Sequence, residues 1–247
     1  MTGDDRSAGS GVLTTVGRDL RAPRAAGAAG LLFAVLFIGS LLLLQGAPGA
    51  GSSADEIARW YLRTDAKHLG IVGLYLAPFA GIAFLWFIAV IRSHIGERED
   101  QFFATVFLGS GLLFVAMLFV AAAAAGAPLV SVKFQGAPLP SPDAIGLARA
   151  LAYTFLYVYA VRAAAVFMIA VSTLALRTAS LPRWLVIVGY VTAALMLLSV
   201  SFFKFVVLLF PLWVAAVSIV ILFTARLPDA SRPGSGGSTD SSASGTA

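Results

Sequence analysis

Residues 69–91 read LGIVGLYLAPFAGIAFLWFIAVI, an apolar run with no charged side chain. A helix needs about 20 such residues to cross a hydrocarbon core of roughly 30 Å. With no water there to satisfy the backbone, the run has to bond its own N–H and C=O groups, which a helix does within one segment. Five more stretches follow the same rule: 25–44, 102–125, 145–176, 185–199 and 205–224. The fifth is short, so its flanks through Leu181 and Ser201 extend it; the fourth is long and tilts or projects. The turn at Ser199–Lys204 is tight enough to make the last two spans an antiparallel hairpin. The fold class expected is an all-α bundle of six transmembrane helices.

Composition agrees. Of 247 residues, 59% are hydrophobic and only 12% charged, against roughly a quarter charged in soluble domains, and the mean hydropathy is +0.91. The chain has no cysteine, which excludes disulfides, thiolate metal sites and cysteine nucleophiles. A net charge of +5 and a pI near 9.9 are read as topology rather than nucleic-acid binding, because Lys and Arg gather on the cytoplasmic side of spans. With the amino terminus inside, the inner segments carry Arg6, Arg18, Arg21, Arg24, Arg92, Arg98, Arg177, Arg183, Arg226 and Arg232. The outer ones carry Arg59, Arg63, Lys67, Lys133, Arg149 and Lys204. Ten against six places both termini in the cytoplasm, with the plasma membrane as the location. A rival reading takes Arg21 and Arg24, the apolar run 31–44 and the small residues 46–51 as a cleaved signal peptide.

Residues 1–24 and the Gly/Ser-rich 228–247 are expected to be disordered tails, since neither buries enough apolar surface to offset ordering entropy. Residues 25–227 form the transmembrane domain. Its first outer segment has Ser53 and Glu56 at capping-box spacing, with Ile57, Trp60 and Tyr61 on one face, predicting a short amphipathic helix near 53–67. Such a helix is either a lid or an interfacial anchor with its aromatics at headgroup level. The second outer segment, 127–144, contains Pro128, Pro138, Pro140 and Pro142 and is expected to be a loop. Ser141 and Pro142 should open the fourth span as N-cap and first helical residue.

Chemistry has few places to reside. Every Asp and Glu lies outside the apolar runs, so the intramembrane carboxylate relays of proton-coupled carriers have no counterpart. His68 and His94 sit at opposite ends of span two, on the order of 39 Å apart, and cannot share a metal or haem. Gly109, Ser110 and Gly111 look like the setting of a serine nucleophile, but no base falls nearby; small residues there let helices approach. There is no phosphate-cradling loop ending in Gly-Lys-Ser/Thr. No cofactor, metal or catalytic centre is expected. Trp184 and Lys204 read as interfacial anchors, Trp86 and Trp213 as packing residues.

One ionisable residue remains inside. Arg162, in TFLYVYAVRAAAVFMIAV (154–171), lies midway along span four, where a guanidinium costs about 2.5 to 3.5 kcal/mol even on the lenient insertion scale. Pro78 frees the carbonyl of Leu74, and Pro211 frees that of Val207. Side chains lean toward a helix amino terminus, so Arg162 reaches outward, near Tyr159, while Tyr75 adjoins Leu74. These residues predict a polar pocket in the outer half, between spans two, four and six, that takes a lipid headgroup or small anion. The competing reading is a structural arginine satisfied by carbonyls and hydroxyls.

The segment SADEIARWYLRTDAKHLGIVGLYLAPFAGIAFLWFIAVIRSHIGERED (53–100) resembles a group of uncharacterised six-span membrane proteins common in actinobacteria. The likeness rests on Ser53 to Ile57, Tyr61, and Phe84, Leu85, Trp86 and Phe87 closing with Arg92 and Ser93. It implies a plasma-membrane location and six spans, and no activity. Two functions follow from the residues. The first is a non-enzymatic accessory or transport component binding an anionic lipid or small anion. The second is a structural or assembly subunit whose Arg162 pairs with an acidic group of a partner membrane protein. An intramembrane enzyme is the weakest reading.

Overall fold

A computed structural model describes residues 21–45, 51–95, 101–198 and 205–224, all helical apart from short connections and without strands. In chain order the elements are α1 (Arg21–Gln45), α2 (Ala54–Leu62), α3 (Thr64–Ile95), α4 (Gln101–Gln135) and α5 (Pro142–Tyr153). A π-helical segment, Thr154–Ala160, leads into α6 (Val161–Thr178), followed by α7 (Arg183–Leu198) and α8 (Val206–Thr224). Four stretches are long and apolar enough to cross a membrane: Gly70–Arg92, Thr105–Gln135, Pro142–Thr178 and Val206–Thr224. Two shorter apolar helices, Gly27–Leu43 and Arg183–Leu198, accompany them. The tails, the Ser199–Lys204 turn and the His68 and His94 side chains lie outside the described residues.

Local chemistry sets the element ends. Ser53 accepts from the Glu56 N–H at 3.3 Å while Glu56 Oε2 accepts from the Ser53 N–H at 2.9 Å, a complete capping box. The amphipathic helix stops at Leu62, earlier than the expected 67, because Arg63 turns extended (φ −76, ψ 112) and a new helix begins at Thr64. The expected loop 127–144 is also shorter. Helix α4 runs straight through Pro128 to Gln135, since a proline inside a long apolar helix removes only the bond to Ala124 and neighbouring helices hold the rest. Gly136 at φ +65 ends it, so only 136–141 is irregular. Ser141 then caps α5 by accepting from the Ala144 N–H at 3.2 Å, with Pro142 in the first turn. Helix α7 starts at Arg183 rather than Leu181, because Pro182 supplies its first accepting carbonyl, taken by Leu185 N–H at 3.0 Å.

The long helices form a closed circuit in sequence order. Helix α1 packs on α3, α3 on α4, α4 on the α5–α6 run, α6 on α7 and α7 on α8, and α8 returns to α1. Phenylalanines fill the middle: Phe84 of α3 has ring centroids 4.8 Å from Phe33, 5.2 Å from Phe114, 5.1 Å from Phe167 and 5.4 Å from Phe210. Lipid is as apolar as these rings, so shape and small residues hold the circuit. Ala163, Ala164 and Ala165 are all buried where α6 meets its neighbours. Gly111 abuts Ile88 and Phe167, and the Ser110 hydroxyl donates to its own helix at Val106 O, 2.6 Å away. Of the two tryptophans expected to pack, Trp213 is buried but Trp86 is 68% exposed and faces outward. In an all-apolar helix, hydropathy does not distinguish the faces.

A second, smaller cluster sits at one end of the circuit. Ile57 and Tyr61 of α2, Leu129 of α4 and Ile145 of α5 are buried together, flanked by Trp60, Ile71 and Val132. Helix α2 therefore lies on protein, as a cap over the ends of α4 and α5. That end is the one that the charge count expects on the outer side.

Candidate functional site

Arg162 projects from the first turn of α6, directly after the π-helical segment. That segment ends with the Val161 N–H on the Leu156 carbonyl, and the next turns revert to i→i−4 bonding. The change of register passes over one carbonyl, that of Tyr157, which a regular helix would have satisfied. Arg162 Nη1 covers it: it donates to Val158 O at 2.8 Å and to Tyr157 O at 3.4 Å. The acceptors expected from other spans are not the ones used.

Depth follows from helix geometry. From Arg162 to Thr178, where α6 ends beside Arg177, the rise is about 24 Å. The side chain leans roughly one turn further toward the amino terminus, so the guanidinium reaches about 30 Å from that end, the thickness of a hydrocarbon core. It is half-buried on a stripe with exposed Val166 and with Tyr159, which is 53% exposed. Tyr153 and Tyr157 stack nearby with centroids 4.6 Å apart, as suits an interfacial aromatic belt. Nε and Nη2 have no acceptor among the described residues.

No protein-family model, curated protein or solved structure matches the chain. Function has to be read from these residues.

The other expected site residues separate into two groups. Leu74, Tyr75 and Pro78 come together on the wall of a groove of about 410 Å³, but its opposite wall is α4, not span four or six. Val207 and Pro211 are buried in the core on α8. Neither of the two cavities described joins spans two, four and six. In the outer half α3 faces α4, while Arg162 faces outward.

The outer cap holds a cation that the sequence reading placed only as a topology marker. Arg149 of α5 and Tyr61 of α2 line a cavity of about 30 Å³ together with Trp60, Gly70, Gly126 and Pro128, room for about a water molecule. Burial pushes the Tyr61 phenol above its ordinary value, with the Arg149 charge pulling the other way. A raised folded-state pKa means that the cap favours the neutral phenol. That stabilisation is complete below the ordinary tyrosine value of about 10 and is lost as pH rises through the raised one. Fluorescence of Trp60, whose ring lies 4.9 Å from Tyr61, is expected to show an alkaline transition above pH ~10 that Tyr61→Phe abolishes.

Sequence reasoning also missed buried polar groups in the core. Ser172 of α6 and Trp213 of α8 meet beside Gly189 of α7, while Ser218 of α8 lies apart from them against Gly30 of α1; Ser172 Oγ, Trp213 Nε1 and Ser218 Oγ have no hydrogen-bond partner among the described residues. Next to Ser172, Thr173 Oγ1 and Tyr190 OH share a 2.7 Å hydrogen bond between α6 and α7. The available signal was the Ser172–Thr173 pair inside an apolar run. Among the described residues no group of three or more His, Asp or Glu could hold a metal.

Proposed function

We propose that the protein is a six-span integral protein of the plasma membrane, with both termini cytoplasmic. In this reading Arg162 holds the anionic headgroup of an outer-leaflet lipid, or a small anion, and the protein serves as a non-catalytic accessory or transport component. One observation supports the reading: Arg162 braces Nη1 on the Val158 and Tyr157 carbonyls, while Nε and Nη2 have no acceptor among the described residues; a span counted from Thr178 would put them at headgroup depth. A guanidinium fixed on one side presents its remaining donors in a planar fork suited to phosphate or carboxylate oxygens. The two shorter helices, α1 and α7, complete the six spans by local thinning of the bilayer or by their flanks. The likeness of residues 53–100 to uncharacterised actinobacterial six-span proteins fits this topology and brings no activity with it.

In detergent, phosphatidylglycerol is expected to raise the unfolding temperature of the wild-type chain more than phosphatidylcholine does, and Arg162→Gln to remove that difference. Equal stabilisation by both lipids in both proteins would overturn the headgroup reading. A reporter fused to the carboxy terminus is expected to function in the cytoplasm; function only outside the cell would overturn the topology. The same open N–H groups would donate equally well to a partner's carboxylate. A single stoichiometric membrane partner, co-purifying with wild type and lost in Arg162→Gln, would favour an assembly subunit instead.

A further inference from the structure

The groove between α3 and α4 is a second feature that Arg162 does not explain. Its walls are Tyr75, Pro78, Phe119, Ala123, Val130 and Phe134, and its volume of about 410 Å³ falls in the range of about 300–1,000 Å³ typical of ligand pockets. Two causes make it. The alanines of α4, Ala122 and Ala123, are too small to fill the space beside Pro78. Behind them Leu74 packs on Gly126, where a Cβ would stand only 2.6 Å from Leu74 Cδ1, so the helices touch there and splay on the outward side.

Position along α4 indicates what fills it. Counted from Thr105, where the apolar stretch of α4 begins, Ala122 lies at a height of about 26 Å and Lys133 at about 42 Å. The lower wall is therefore near the top of a core of about 30 Å, and the Lys133 side chain, leaning about one turn back toward the helix amino terminus, brings its ammonium down to about 36 Å, the outer edge of the headgroup layer. At 100° per residue Lys133 falls within about 20° of Ala122 around the helix, so the exposed ammonium stands above the same face. Tyr75, 58% exposed, adds a hydroxyl-bearing ring to the wall. An apolar slot whose upper end, at Val130 and Phe134, lies beside a lysine matches one molecule in both parts: an acyl chain below and a phosphate above.

We propose that this groove is a specific site for an outer-leaflet phospholipid, with one acyl chain along Phe119, Ala123 and Tyr75 and the phosphate at Lys133. The site shares the membrane reading above but not its arginine. A second copy of the chain, inserting a helix into the groove, is the rival occupant.

The test uses the full chain in vesicles of phosphatidylglycerol and phosphatidylcholine, with a trace of phospholipid carrying a photoreactive diazirine in one acyl chain. Label is expected to concentrate on peptides containing Tyr75, Phe119 and Ala123. Ala123→Trp fills the groove from an exposed position, so the fold tolerates it, and should cut that labelling about tenfold as the chain loses its packing contacts. Lys133→Gln should retain labelling but lose any preference for the phosphatidylglycerol probe. Arg162→Gln should leave groove labelling unchanged, so the headgroup reading at Arg162 can fail alone. Label spread evenly over the apolar helices, or unchanged in Ala123→Trp, overturns the site. So does a chain-to-chain photoproduct through the same peptides, and a chain that never enters the vesicles overturns both proposals.

Discussion

Phe84→Ala is expected to lower the unfolding free energy by about 3 kcal/mol, the low end of the range for phenylalanine truncation. Phe84 has no exposed surface, and its ring meets Phe33, Phe114, Phe167 and Phe210 from four other helices. In water the cost of truncation combines lost transfer energy with the cavity left behind. In a bilayer the first part is small, because separated helices are solvated by lipid rather than water. What remains is the void and the lost dispersion contacts of a densely packed site. Phe79→Ala is the control, since Phe79 lies on the same helix but is 58% exposed and should cost under about 0.5 kcal/mol. Equilibrium unfolding in mixed micelles would separate the two. Equal effects would mean that the aromatic cluster does not hold the helices together.

Gly189→Ala should destabilise by about 1 to 3 kcal/mol, and Ser172→Ala should relieve most of that loss. A Cβ on Gly189 would collide with the Ser172 hydroxyl and stand 3.0 Å from Trp213 Nε1. Both neighbours are buried in the core, and neither polar atom has a hydrogen-bond partner among the described residues. Removing the Ser172 hydroxyl therefore discards a buried polar group that gains nothing, and alone should be neutral or stabilising by about 1 kcal/mol. The double variant has room for the new methyl on one side and still meets the indole on the other. If Gly189→Ala cost the same in both backgrounds, the contact between α6, α7 and α8 would not be the cause.

The helices themselves were largely legible. Charge-free runs of spanning length permit only one backbone solution in lipid, and Ser53, Glu56, Ser141 and Pro142 marked their starts through side-chain chemistry that acts within four residues. Boundaries failed where a local rule met tertiary support. Pro128 was expected to end a helix, but α4 continues because its outer turns pack on α2 and α5 through Leu129 and Val132. The amphipathic pattern continued past Arg63, yet the chain bends there to lay α2 over the outer end. For Arg162 the sequence identified the lean of the side chain toward the amino terminus of its helix. Its acceptors could not be foreseen, because the open carbonyl of Tyr157 arises from a π-helical register that depends on how α5 and α6 are held against α4.

Pairing of helices shows the same division most plainly. From sequence alone follow the membrane class, the helical backbone and the spacing of polar side chains along each helix, because hydropathy and a rise of about 1.5 Å per residue are local properties. Which face of each helix meets a neighbour was decided only in three dimensions. A soluble amphipathic helix announces its buried face by polarity, whereas a helix apolar all round carries no such mark. Trp86 and Phe84, two residues apart, could not be told apart until the packed circuit turned one toward lipid and the other into the core. The choice rests on shape: glycine and alanine admit a neighbouring backbone, phenylalanine fills what is left, and in lipid no difference in hydrophobicity acts between the two.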